Sequence, residues 1–410
     1  MTTTETPAHA AEVAPAAPDA EALVAEAREA LAAHLSTLVD VAADLHAHPE
    51  IRFTEVHAAA RLTAELETAG FAVERGFAGL ETAFVGRWST PDAGEDAATI
   101  AIFLEYDALE GIGHACGHNI IAAAGLGAAL ATKDVLAAEG TPAHLVAIGS
   151  PGEEGAAGKV PMIDGGVLDG IDLAMMIHPA GEDVAASSSL SRVALDVDFT
   201  GRASHAAAHP ERGINALDAS TLALTAIGLL RQQLADDVRI HAIVTDGGQA
   251  PNIIPEHTAL RVFVRAEDRD ALLETVVPRV KACFEGAAIA TGCEVAIAEN
   301  TPPYFSLRPN PTLAGIAEQA MVALGRPSAV APQMGGSTDM GNVSHVVPAI
   351  HPMLTLLPDC SPHTREFAEA AGGPAAEPVI ADGAALLAAT ALAAFRHPAV
   401  VAEAKATFAG

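Results

Sequence analysis

Cysteine is scarce in this chain. Cys116, Cys283, Cys293 and Cys360 are the four in 410 residues, with no CxxC pair among them. That spacing excludes a disulfide framework and points to reduced thiols in a cytoplasmic protein. Cys283, Cys293 and Cys360 read as packing residues, since free cysteine is commonly buried. Positive charge is scarce too: 22 Lys and Arg stand against 52 Asp and Glu, a net charge of −30, with no basic cluster. A duplex-binding protein needs a basic face to displace counterions, so nucleic acid and anionic membranes are excluded as partners. No apolar run of membrane-spanning length is free of polar or helix-breaking residues, and residues 222–230 are apolar but too short. The first twenty residues lack the basic start and apolar core of a signal peptide. Rich in Ala, Thr, Pro and Glu, they are expected to form a disordered tail.

What is present is apolar: half of all residues, in a chain long enough for two domains. Residues 19–48 carry helical periodicity (Leu23, Ala27, Leu31, Leu35, Leu38, Val41, Leu45), ended by Pro49. A second helix is expected over 54–69. Residues 98–104, 144–148 and 173–177 are continuous apolar runs, as in strands buried on both faces. Helical stretches separate them, which predicts βαβ crossovers and a mostly parallel sheet. After Ser191 the pattern changes. Val193, Leu195, Val197 and Phe199 alternate with polar or small residues. A helix at 214–234, a hairpin-like pair at 239–245 and 258–265, a helix at 268–287 and a strand at 293–298 follow. This β-α-β-β-α-β order is a split-βαβ unit. The buried style returns with a helix at 312–324, a strand at 353–357 and a helix at 383–394. The expected organisation is α/β, with residues 21–190 and 306–410 forming the larger unit and 191–305 an insertion.

His114-Ala115-Cys116-Gly117-His118-Asn119 places three metal-competent side chains at i, i+2 and i+4, which share one face in an extended segment. The small-residue run at 120–131 reads as a buried helix, so Cys116 and His118 fall at its N-terminus, where the dipole favours a thiolate. In open α/β sheets, ligands bind just past the carboxyl ends of the strands. Each buried run here ends in metal-type residues. ATIAIFL leads to Glu105 and Asp107, HLVAI to Glu153 and Glu154, DLAMMI to His178, and MLTLL to Asp359 and His363. With Cys116 and His118, these segments are expected to converge on one sheet edge. The adjacent Glu153 and Glu154 allow one carboxylate to bind metal while its neighbour takes a proton from metal-activated water. Two other readings exist. Cys116 could be a thiol nucleophile with His118 or His114 as base, which leaves the Glu pair, His178 and His363 without roles. The chain could also be a non-catalytic binding protein, although every candidate position is filled.

The motifs LHAHPEIRF, EYDAL, GHACGHN, GEEG, MMIHP, GRASHAAAHPERGINALDA, GGQAPNIIPE, GGSTDMGNVS and PHTREF, in this order, carry a resemblance. The chain resembles the metal-dependent aminoacylase/carboxypeptidase group, metallopeptidase family twenty. The branch is the amidohydrolases of hippurate, indoleacetyl-amino acids and aminobenzoyl-glutamate. The resemblance runs from about Leu35 to Ala394, and GHN, MMIHP and HTREF point to aminobenzoyl-glutamate hydrolase-like and dipeptidase-like members. It implies a zinc-exopeptidase-like catalytic domain with an inserted ferredoxin-like α+β dimerisation domain. The implied reaction is hydrolysis of the amide of an N-acyl amino acid, an aminobenzoyl-glutamate-like or a dipeptide-like substrate. Cys116, His118, Glu154, His178 and His363 would hold two divalent ions, with Zn²⁺ favoured by ligand softness and Mn²⁺ or Co²⁺ able to serve. Glu153 would be the general base and acid, and Asp107 would orient a metal ligand. His205 of the SHA motif would reach the partner subunit's site in a homodimer and stabilise the oxyanion. Asn252 of PNIIPE would hold the small-molecule amide substrate. His114 falls to a structural or supporting role. The chain departs from the pattern at two positions. Asn119 stands where many relatives carry an acid, which is expected to alter charge around the metal ligands. Glu105 stands where distant relatives place a metal-binding histidine, a role left to the Cys116–His118 segment.

Overall fold

A computed structural model describes residues 19–329 and 336–409. The expected tail therefore lies outside the described residues up to position 18. Asp19 already caps a helix, its carboxylate accepting from the Ala22 N–H at 3.2 Å. The single helix expected over 19–48 is two, Ala20–Leu31 and Leu35–Ala47. The break turns His34 toward Asp134, with Nε2 and Oδ2 2.7 Å apart, and lets both helices lay their leucine stripes on one core.

Two helices pass through that core, His118–Glu139 and Ala376–Arg396. Both are long and apolar enough to cross a membrane by length and composition, a property hidden in the sequence by scattered small and polar residues. Each is mostly buried against the rest of the protein, as core helices are. Small residues permit the packing. A Cβ on Gly125 would stand 2.8 Å from the Phe103 carbonyl oxygen, and one on Gly127 2.5 Å from Leu38 Cδ1.

The main sheet has six strands: β1 (Ala72–Arg75), β2 (Phe84–Ser89), β3 (Thr99–Glu105), β4 (His144–Ser150), β5 (Leu173–Met175) and, late in the chain, Ala349–Ile350. Its order is β1-β2-β4-β3-β5 followed by Ala349–Ile350. The sheet is mixed. β3, β4, β5 and the last strand run parallel, and β1 and β2 add an antiparallel edge that the hydrophobic pattern does not announce. In the parallel core Glu105 pairs with Ser150, so the carboxyl ends of β3 and β4 lie side by side.

The run at 353–357 does not join this sheet. Met353–Thr355 pairs in parallel with β6 (His178–Ala180), His178 opposite Met353, as a separate two-stranded sheet. Pro179 within β6 and Pro352 before its partner remove ladder donors and hold the pair short.

A second hydrophobic core lies under a four-stranded antiparallel sheet. Its strands are β7 (Ser191–Thr200), β8 (Arg239–Asp246), β9 (His257–Ala266) and β10 (Glu294–Glu299), in the order β10-β7-β9-β8. Helices Ala216–Leu230 and Val277–Thr291 supply the other half of this core, including Ala219, Ile227, Val280 and Phe284. The chain leaves the larger unit at Leu190 and returns at Tyr304. There Arg192 and Tyr304 exchange two backbone hydrogen bonds of 2.8 and 3.0 Å.

Candidate metal centre

Glu105 and Asp107 stand at the end of β3, buried. The chain then turns through Gly113 (φ 63°) and Gly117 (φ 79°) into the His118–Glu139 helix. A Cβ on Gly117 would lie 2.5 Å from Pro179 Cγ, so a glycine is needed between Cys116 and His118. Because this segment is a turn and not an extended strand, the expected sharing of one face fails for His114. Its Nε2 bonds the Leu45 carbonyl at 3.1 Å and its ring stacks near His46. Burial and the nearby His118 charge push its pKa down to about 3, so it is a neutral structural histidine.

The convergent segments do meet. The Cys116, His118 and His178 donor atoms lie within 4.8 Å of one another, as do those of Cys116, Glu154 and His363, and those of His118, Glu153 and Glu154. Asp107 holds two parts of this cluster in place. Its Oδ1 is 3.0 Å from His118 Nδ1, which leaves Nε2 to face the cluster, and its Oδ2 accepts the Glu154 N–H at 2.9 Å. His178 donates from Nδ1 to the Pro179 carbonyl at 2.7 Å and turns Nε2 toward Cys116 Sγ, 3.5 Å away. His363 sits at φ 71°, a left-handed conformation that strains a non-glycine residue. Its N–H donates to the Ala115 carbonyl at 2.8 Å, and its Nε2 lies 3.1 Å from Glu154 Oε1.

The GEEG turn is braced from three sides. Gly152 (φ 67°) and Gly155 (φ 77°) allow its path. The buried Glu55 accepts the Gly152 N–H at 2.9 Å. The Tyr304 hydroxyl accepts from the Ala157 N–H at 2.8 Å and donates to the Glu153 carbonyl at 2.5 Å. Behind the turn lies a buried ion triad. The ammonium of Lys159 contacts Glu105 and lies 2.7 Å from Asp339 Oδ1, with all three side chains at most 1% exposed. The other oxygen of Glu105 is 3.6 Å from His118 Nε2. Glu55, Tyr304, Lys159 and Asp339 carry no signal in the sequence that singles them out. GGSTDMGNVS contains Asp339, but nothing local marks that acid as buried.

The two adjacent glutamates differ electrostatically. Burial, then the charges of Glu154, Glu105 and Asp339, raise the pKa of Glu153 well above the usual carboxylate range. Burial pushes Glu154 the same way, yet the hydrogen bond from His363 and the charge of His118 hold it below that range. Burial and the nearby Glu154 push the Cys116 thiol well up. The helix N-terminus does not therefore make it a free thiolate, which counts against the thiol-nucleophile reading. Burial and the His118 charge lower His178 to about 4, so it offers a neutral imidazole.

These residues fit divalent cations. One thiol, three imidazoles and two carboxylates face each other, and buried His118 Nε2 and Glu105 Oε2 have no hydrogen-bond partner. Such orphaned polar atoms are rare in native interiors unless something else satisfies them. His351, another residue the sequence does not flag, packs edge-on to His178 with centroids 5.5 Å apart, and both its ring nitrogens lack partners.

Cys116, Glu153, Glu154, His178 and His363 line a cavity of about 730 Å³ that reaches Arg192 and Arg265 at the base of the four-stranded sheet. Cys360, expected only to pack, lines it too, while Cys283 and Cys293 pack on the second core. His205 and Asn252 do not line it. Both are exposed on adjoining loops, where Ala206 N–H donates to the Asn252 carbonyl at 3.0 Å. Asn119 also departs from expectation. Its amide donates to the Ala42 and Ala371 carbonyls at 3.1 and 2.9 Å, so it ties helices together and leaves the cluster's charge alone.

An α/β scaffold that gathers thiol, imidazole and carboxylate donors at the end of its parallel strands defines a metal-dependent hydrolase class. Residues 92–393 match the family model for peptidase family M20/M25/M40. Xaa-Arg dipeptidase of Mus musculus is 39% identical over 365 residues, covering 86% of this chain and 84% of that protein. A p-aminobenzoyl-glutamate hydrolase subunit of Escherichia coli (strain K12) is 33% identical over 318 residues, 73% of this chain and 65% of that one. The fold matches an aminobenzoyl-glutamate utilization protein from Klebsiella pneumoniae (TM-score 0.68, 21% identity, 88% of this chain and 97% of that). It also matches a dinuclear metal binding peptidase from Bacillus subtilis (TM-score 0.64, 21% identity, 87% and 99%). The chain belongs to the peptidase family M20/M25/M40, and it is a hydrolase of amide bonds.

Proposed function

We propose that the protein hydrolyses the amide bond of an N-acyl amino acid, aminobenzoyl-glutamate-like or dipeptide-like substrate in the cavity beside the Cys116 cluster. One observation carries this reading: donor side chains from separate segments of the chain converge within 4.8 Å in overlapping sets, beside a glutamate whose proton affinity is raised. Cys116, His118, Glu154, His178 and His363 would hold two divalent ions, Zn²⁺ by the softness of a thiolate and imidazole set, with Mn²⁺ or Co²⁺ as alternatives. Bound there, the ions would acidify water and polarise the scissile carbonyl.

The protein's own groups do the rest. Asp107 binds His118 Nδ1, which points Nε2 into the cluster, where an ion would take the place of its proton. Glu153 takes the proton of the attacking water and returns it to the leaving nitrogen; its raised affinity suits that exchange. Tyr304 and Glu55 hold the turn on which this carboxylate sits.

His205 and Asn252 share one exposed loop pair outside the cavity of their own protomer, which fits service to a partner's site. The partner would be a second copy joined through the four-stranded sheet. β8 is one of its two outer strands, exposed along most of its length with Ile243 62% and Val244 44% accessible, and two-fold pairing would cover that edge. His205 then donates to the carbonyl oxygen as charge develops on it. A reduced cytoplasmic setting would keep Cys116 competent. A screen of N-acyl amino acids, aminobenzoyl-glutamate and β-alanyl or γ-linked dipeptides, run with each metal, tests the reading. Cleavage of at least one class supports it, and none with any metal counts against it.

A further inference from the structure

Two arginines line the cavity onto which the metal ligands open, in a protein with a net charge of −30. Arg192 on β7 and Arg265 on β9 face each other in register across the two strands and both line the cavity. Their guanidinium carbons lie 4.8 and 6.0 Å from the centroid of one ring, Phe263, and Arg192 lies 4.1 Å from the Tyr304 ring as well. Arg192 is 7% exposed, and its Nε has no hydrogen-bond partner. Among the described residues no carboxylate forms an ion pair with either arginine. Their polar contacts are neutral hydroxyls, Thr301 at 3.4 Å from Arg192 and Ser337 at 2.8 Å from Arg265. Burial and the charge of Arg192 lower the pKa of Arg265, the mark of two cations crowded together. The acids that share the cavity are Glu153 and Glu154 at the metal end, and Glu182 and Asp359, which are exposed.

Two like charges held side by side cost free energy unless something of opposite sign is bound. A single carboxylate can engage one guanidinium in a bidentate fork, and a second guanidinium, beside two aromatic rings and with its Nε unpartnered, offers a fork for another. We propose that Arg192 is a specificity-determining residue that binds a second anionic group of the substrate. The amine half of the preferred amide then carries two carboxylates, as in an acidic amino acid, and not a neutral or cationic side chain. This rests on the amide-hydrolase reading for its substrate but on Arg192 and Arg265 for its charge preference.

The experiment measures binding and turnover separately in the full-length, metal-loaded protein. Calorimetry with L-glutamate, L-leucine and L-arginine gives the preference for the amine half. Hydrolysis of the three N-acetyl amino acids gives the preference in kcat/KM. The wild type is expected to favour glutamate over leucine by about 10-fold or more in both. In Arg192→Gln the glutamate-to-leucine ratio falls to within about 3-fold, and Arg192→Lys recovers part of it. A purely structural Arg192 would lower stability and leave the ratio unchanged, so thermal unfolding is followed alongside. Tighter binding of leucine or arginine by the wild type overturns the proposal, as does an unchanged ratio in a folded Arg192→Gln protein. Should Arg192→Gln fail to fold, the wild-type preference and Arg192→Lys decide. A glutamate preference in binding with no amide cleaved would uphold the anion site and overturn the hydrolase reading.

Discussion

Glu153 and Glu154 are neighbours with opposite electrostatic settings, and their amide variants should separate cleanly. Glu153→Gln is nearly isosteric but cannot accept a proton. It is expected to keep fold and metal while losing about 10²–10⁴-fold in turnover, measured by steady-state kinetics beside elemental analysis. Glu154→Gln removes an anionic donor that faces Cys116 and His363, so its metal content should fall. Exchanged phenotypes would reverse the two roles. At this scale the sequence was most legible where residue type alone limits the chemistry: Cys116, His118 and the paired glutamates. It misled where backbone direction decides. The i, i+2, i+4 spacing of His114 means one face only in a strand, and two positive-φ glycines make the segment a turn. Asn119 faces helix carbonyls for the same reason.

At the scale of elements, the GEEG turn and the β3–helix contact set the site's rigidity. Glu55, fully buried beneath that turn, has its pKa raised to about 7 from 4.5, chiefly by burial. The folded protein therefore holds this proton more tightly than the unfolded chain does. The stability it contributes is full below about pH 4.5 and is lost as pH rises through about 7, at most about 3 kcal/mol. Glu55→Gln keeps an acceptor for the Phe53 and Gly152 N–H groups and should flatten this part of the stability profile, read from urea unfolding across that range. Equal slopes in variant and wild type would contradict the assignment. Gly125→Ala tests the helix contact. Its Cβ would meet the Phe103 carbonyl at 2.8 Å and Leu104 Cγ at 3.1 Å, and backbone cannot yield cheaply. A loss of roughly 1–3 kcal/mol in unfolding free energy is expected. Long apolar runs announced β3 and β4 because both faces of those strands are buried. The two-residue strand Ala349–Ile350 and the four-residue β1 carry too few residues to show a period, and the burial of β2 runs in a block without alternating. The split of the first helix at residues 32–34 comes with a tertiary contact of His34 to Asp134, which no local propensity records.

For the whole molecule, a second hydrophobic core lies between Ser191 and Glu299, where the hydrophobic period of the sequence changes at β7. The proposed pairing of two copies was not readable, since it depends on surfaces and not on periods. Mixing His205→Ala with Glu153→Gln under protomer exchange tests the trans assignment. Each heterodimer carries one site with both residues intact, so activity should return toward half of wild type. No recovery despite proven exchange would place His205 elsewhere. The central claim, amide hydrolysis by a metal centre built on Cys116, His118, Glu154, His178 and His363, is tested most directly by titrating chelator-stripped protein with Zn²⁺. Bound metal and hydrolysis of a cleaved substrate are followed in the same sample. Activity is expected to be absent at the start and to rise with occupancy, saturating near about two ions per chain. Full activity in protein shown to be metal-free would contradict the account.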